Sequence, residues 1–141
     1  MKLVSVLGFF LSMSLMAADP QSPLARVMDR MNADIKQIKK DLTVNVVSET
    51  LRGDLRTSIN DFAAAATEAR GLPPDVVKAD PDMLQKFQGL FDDMLQHCET
   101  FKGLLAAGDA SSIHLADLKA ELISIESDER AGHSAFRPHK K

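Results

Sequence analysis

LADLKAELISIESDERAGHSAFR, residues 115–137, is the stretch whose reading decides the fold. Leu115, Leu118, Leu122 and Ile125 alternate steps of three and four, the spacing of one apolar face of a helix. The next two places on that face hold Glu129 and Gly132, with His133 beside them and Phe136 one turn on. At about 100° per residue, His133 returns almost directly beneath Leu115 and roughly 20° from Leu122. An imidazole therefore points into a helical core where the aliphatic seam has thinned, and something other than aliphatic packing is expected to fill that end.

Three further stretches carry the same period. Leu24, Met28, Met31, Ile35, Ile38 and Leu42 follow Ser22-Pro23, an N-cap and a proline at the first helical position. The β-branched run Thr43 to Val47 predicts a short turn, and a second helix is expected from Ser48 to Arg70 with Leu51, Leu55, Ile59, Phe62, Ala66 and Ala69 inward. Gly71-Leu72-Pro73-Pro74 ends it, with Gly71 expected just past the helix and 71–80 as the longest connection. Asp80-Pro81 opens a third helix whose stripe is Leu84, Phe87, Phe91, Met94, Cys98, Phe101 and Leu105. Gly108-Asp109 should close it and cap a fourth helix running to about Arg137, before Pro138. Four helices of about 18–27 residues, roughly 27–40 Å long at 1.5 Å per residue, predict an all-α, antiparallel up-down-up-down four-helix bundle.

Composition agrees. The chain has 141 residues, enough for one domain, and its 45% hydrophobic content can fill a core. With no Trp or Tyr and seven Phe, that core must be mainly Leu, Ile, Met and Ala, which suits helices. The net charge of -3 without a basic block argues against nucleic acid as a partner, and a single cysteine excludes an internal disulfide. Lys2, the apolar run Leu3 to Met16, and Ala17-Ala18 read as a signal peptide, since the run is too short to span a bilayer. Cleavage after Ala17 gives a leader of 1–17 and a domain of 18–141; cleavage after Ala18 and an uncleaved anchor are the alternatives. The mature chain is expected in a bacterial periplasm, acidic, monomeric and without stable membrane attachment.

The expected topology places chemistry at one end. Met28 lies about five residues into the first helix and His133 about four from the end of the fourth, each roughly 6–8 Å from the same bundle end. A thioether and an imidazole together suit haem iron or copper, not magnesium or calcium. Each also has an ordinary structural explanation: a core methionine fills gaps, and a buried histidine is commonly a hydrogen-bonded structural one. Other candidates are weaker. His97-Cys98 resembles a metal dipeptide, but Cys98 falls on the third stripe. Glu129 and His133 are spaced to bind a surface metal, and His114 and His139 are expected in solvent. The chain contains neither Cys-x-x-Cys-His nor Glu-x-x-His, which argues against covalent c-type haem and the di-iron carboxylate bundles.

The run Met28-Asp29-Arg30-Met31-Asn32-Ala33-Asp34-Ile35-Lys36-Gln37-Ile38-Lys39-Lys40-Asp41 resembles the first helix of the cytochrome b562 family, with the axial methionine at Met28. Arg130-Ala131-Gly132-His133-Ser134-Ala135-Phe136-Arg137 is similar to its last helix, with the axial histidine at His133. Pro73-Pro74, Phe87 through Phe91 and Leu105-Ala106-Ala107-Gly108 fall in the family's order, so the likeness spans the mature chain while only the two end motifs are specific. The resemblance implies a non-covalent haem b, its iron six-coordinate through Met28 and His133, and Met/His ligation belongs to electron-transfer haems. It also implies Phe87 and Phe91 against the haem face, Met31 among the cofactor-binding residues, and Arg137 near a propionate, although a basic residue at a helix C-terminus has its own rationale. With both axial positions filled, the expectation is an electron carrier that serves an unidentified redox partner and is not an enzyme. A haem-free periplasmic bundle that binds a metal or a partner is the competing expectation. Glu129 and Gly132 depart from the family, which carries larger or basic groups near the haem edge. A carboxylate there should lower the potential, and Gly132 should leave space.

Overall fold

The computed structural model of the protein describes residues 22–136, the side chains of 133–136 excepted. The expected leader (1–17) and Arg137 lie outside the described residues. Among the described residues the chain is all-helical, with no strand: α1 (Pro23–Asp41), α2 (Glu49–Arg70), the single turn α3 (Asp75–Lys78), α4 (Pro81–Ala106) and α5 (Leu115–Phe136), with a 3-10 turn at Ala110–Ser112. None of these helices is long and apolar enough to cross a membrane.

Local chemistry sets the boundaries. The Ala25 N–H donates to Ser22 Oγ at 3.1 Å and the Leu51 N–H to Ser48 Oγ at 3.0 Å, so a serine caps each of the first two helices. Asp80 Oδ1 accepts from the Asp82 and Met83 N–H groups at 3.0 and 3.2 Å, with Pro81 at the first helical position. Gly71 ends α2 as its cap at φ -86°, without the left-handed geometry that would call for glycine. Pro73-Pro74 stop the helix, because neither can continue its hydrogen-bond ladder.

Two segments depart from expectation. The 71–80 connection contains α3, whose Val77 and Lys78 N–H groups donate to Pro74 O at 3.0 and 2.9 Å, and Val77 is buried. Asp109 does not cap the last long helix. It precedes the 3-10 turn, makes no side-chain cap bond, and α5 starts only at Leu115. The reason is burial: Ala110 and Ile113 are both drawn into the core, and Ile113 is extended, which interrupts a continuous helix. The loop is also held from α2. Arg52 donates to Gly108 O at 2.8 Å and Leu105 O at 3.3 Å, while Glu49 Oε1 accepts from the Ala110 N–H at 3.1 Å. Gly108 takes φ 61°, the left-handed region that favours glycine.

One hydrophobic cluster unites all five helices, with Ile38, Leu55, Ile59, Phe101, Leu105 and Leu118 at its fully buried heart. No polar or charged residue among those described is buried with them. The closest backbone approaches join α1 to α2, α2 to α4 and α4 to α5; among the described residues α1 and α5 approach less closely. Ion pairs record which parts meet: Arg30–Glu68 (2.6 Å) and Arg70–Asp92 (2.7 Å) tie the finish of α2 to the first halves of α1 and α4. Lys39–Glu126 (3.0 Å) bridges α1 and α5.

Candidate functional site

The start of α1, the finish of α2, the first half of α4 and the last turns of α5 gather at one end, and packing loosens toward it. Along α4, Leu105, Phe101 and Cys98 are wholly enclosed, then Met94, Phe91 and Phe87 are 4, 6 and 7% exposed. On α1, five of the six stripe residues are buried and Met28 is not; it is half-buried and lies against the core. On α5 the buried run Leu118, Leu122, Ile125 gives way to the half-buried Glu129 and Gly132.

Met28 is therefore the least enclosed residue of its stripe while still packing against the core. Met31, one turn on, is 4% exposed and belongs to the packed core. Phe87 and Phe91 are brought together, their ring centroids 5.0 Å apart and their planes at 62°, an edge-to-face pair. His133 lies in the last two turns of α5, as expected; its imidazole is outside the described side chains, as is Arg137 altogether.

An open groove of about 570 Å³ lies at this end, at the foot of α1. Leu24, Leu72, Pro73, Pro74 and Val76 make its lining mainly apolar, with Lys78 at its edge. Its volume falls in the range of roughly 300–1,000 Å³ usual for small-molecule sites. Leu24 joins the groove to the α1 stripe one turn before Met28. Met28, Phe87 and Phe91 lie at the same end but are not among the residues that line the groove, and both rings are packed in the core. Among the described residues no three His, Cys, Asp or Glu side chains converge on a metal position.

Burial perturbs titratable groups along α5 and the facing part of α4. Burial pushes the Glu129 carboxyl up to about 7, Glu126 adds to the effect, and Lys39 and Arg130 oppose it. Burial also raises Asp128, with Asp93 adding and His97 opposing. His97 turns away from any site shared with Cys98: its Nδ1 is 2.8 Å from Glu121 Oε2, and its Nε2 is 3.8 Å from Asp128 Oδ2. That Asp128 oxygen is buried and has no hydrogen-bond partner among the described residues. Burial pushes the Cys98 thiol up to about 12, which leaves it protonated and unreactive.

Gly132 does not leave space. A Cβ placed there would lie 3.1 Å from Leu90 Cδ1, so the missing side chain admits a leucine of α4. Sequence spacing could not register this, because Leu90 lies off the α4 stripe. The groove residue Val76 was equally hidden: it stands 68% exposed beside the buried Val77, and two adjacent valines carry no sign of which one turns inward. Comparisons with protein-family models, curated proteins and solved structures found no match to this chain.

Proposed function

We propose that this protein is a small exported electron carrier: an antiparallel up-down-up-down four-helix bundle holding a non-covalent haem b between Met28 and His133. The observation that carries the reading is Met28 itself, the one residue of the α1 stripe left half-buried. The bundle topology is supported by the α1–α2 and α2–α4 ion pairs, whose partners lie in opposite halves of neighbouring helices. Cytochrome b562, the family that the end motifs resemble, is itself a type example of that topology.

In this reading Met28 and His133 would hold the iron, Phe87 and Phe91 would pack against the group, and Met31 and Arg137 would belong to its surroundings. Bound haem supplies a one-electron couple, and Met/His ligation places it among electron-transfer haems. Met28 and His133 would hold the group from both sides and the surrounding side chains would shield it from water, leaving no open position for a substrate, so the reading is of a carrier and not of an enzyme. The leader directs the chain to the periplasm, where it acts as a monomer free of the membrane. Its acidic charge favours a redox partner with a basic face, an attraction that salt screens.

The test is absorption of the purified chain on addition of hemin. Sharp low-spin bands in the reduced form, lost in Met28→Leu and in His133→Ala, are expected. An unchanged hemin spectrum would reject the carrier and leave a haem-free bundle.

A further inference from the structure

Glu129 occupies a place built for a core residue. It continues the spacing of Leu118, Leu122 and Ile125 and is half-buried. The groups acting on it are few. Glu126 and Arg130 stand near it on α5, and from α1 comes Lys39, whose ammonium is already engaged by Glu126 at 3.0 Å. The buried face of α4 at this end is Phe87, Phe91 and Met94, without charge. Glu129 is thus a half-buried carboxyl acted on by a second carboxylate and by two cations, Lys39 and Arg130, one helical turn (about 6 Å along the axis) before His133.

Resting on the electron-carrier reading, we propose that Glu129 is a redox-linked proton site: when a one-electron donor reduces the iron, Glu129 takes up a proton from water, and it releases that proton when the electron leaves. Charge balance is the physical reason. An added electron makes the neighbourhood more negative, and a nearby negative charge favours the neutral form of a carboxyl. Where a carboxyl is partly withdrawn from water, the effect is screened less than at a fully exposed site. Coupling needs both protonation states to be populated at working pH, and burial with Glu126 sets the group near neutrality.

The experiment is a potentiometric titration of the hemin-loaded full chain between about pH 5.5 and 8.5, for the parent, Glu129→Gln and Glu129→Asp. The parent's reduction equilibrium should become less favourable by about threefold or more as pH rises from 6 to 8, against a limit of tenfold per pH unit for one proton per electron. Glu129→Gln should be flat over this range, and Glu129→Asp should restore a slope. Redox-difference infrared spectra should show a protonated-carboxyl C=O band on reduction in the parent and none in Glu129→Gln. Equal slopes in parent and Glu129→Gln, or a carboxyl band that persists in Glu129→Gln, would overturn the proposal while leaving the carrier intact. Absence of Met28-dependent low-spin bands would overturn both.

Discussion

Two helices packed on each other, α4 and α5, solve the same problem differently. The α4 stripe is apolar from Phe87 to Leu105 and buried throughout. The α5 face is equally regular through Ile125, then spends its next two places on a carboxylate and a glycine. A helix in a core needs an apolar face only where another element covers it. Over its first half α5 is covered and aliphatic. Over its second half it carries a half-buried carboxylate, and a glycine against which Leu90 of α4 packs. The contrast separates an aliphatic half of α5 from a half that carries a polar group and a glycine on the same face.

The sharpest way to break the contrast is to remove a ring from the sealed part of α4. Phe101→Ala, at a wholly enclosed position, should cost about 3–5 kcal/mol in urea unfolding. A loss below about 1 kcal/mol would mean that α4 is not packed as described.

A smaller effect probes α5. The Glu129 carboxyl lies at about 7 in the folded chain against an ordinary 4.5, so between those values the folded chain holds a proton that the unfolded chain has released. Its stabilising contribution is complete below pH 4.5 and is lost as pH rises through 7. Glu129→Gln should match the parent at low pH and exceed it by roughly 1–3 kcal/mol at pH 8, one pKa unit corresponding to about 1.4 kcal/mol. Asp34 and Asp128 are shifted the same way, so the difference between variant and parent, not the parent's slope, isolates Glu129. Parallel stability curves would remove Glu129 from the seam.

The smallest effect refines the contact between the two helices. Gly132→Ala gains helix propensity of up to ~1 kcal/mol but must push Leu90 aside, so in the parent the two should nearly cancel. In a Leu90→Ala background the same change should be stabilising by that full amount. If alanine stabilises equally in both backgrounds, Leu90 does not occupy the glycine's place.

Much of this was legible from residues alone, for identifiable reasons. The Ser22-Pro23 and Asp80-Pro81 signals fixed two helix starts because capping is a local interaction among adjacent residues. The stripes on α1, α2 and α4 matched the buried faces because a period of 3.6 can be counted. The start of α5 was misread. Asp109 is a good capping residue by type, but the burial of Ala110 and Ile113, and the hold of Glu49 and Arg52 from α2, depend on residues about fifty to sixty positions away. Of the candidate site, Met28, Phe87 and Phe91 were legible as places on stripes. That Met28 alone of its stripe stays half-buried was not, since exposure depends on how far a neighbouring helix stands off.

By itself, then, the sequence determined that the chain is helical, where most helices begin and end, and which face of each is apolar. These follow from hydrogen bonds and side-chain spacing within a few residues. Tertiary structure alone decided that one end is sealed and the other loose, that Leu90 fills the place beside Gly132, and that Glu129 is drawn into surroundings that hold its proton to neutrality. Burial and electrostatic environment are properties of whatever packs against a residue, and no local pattern records them.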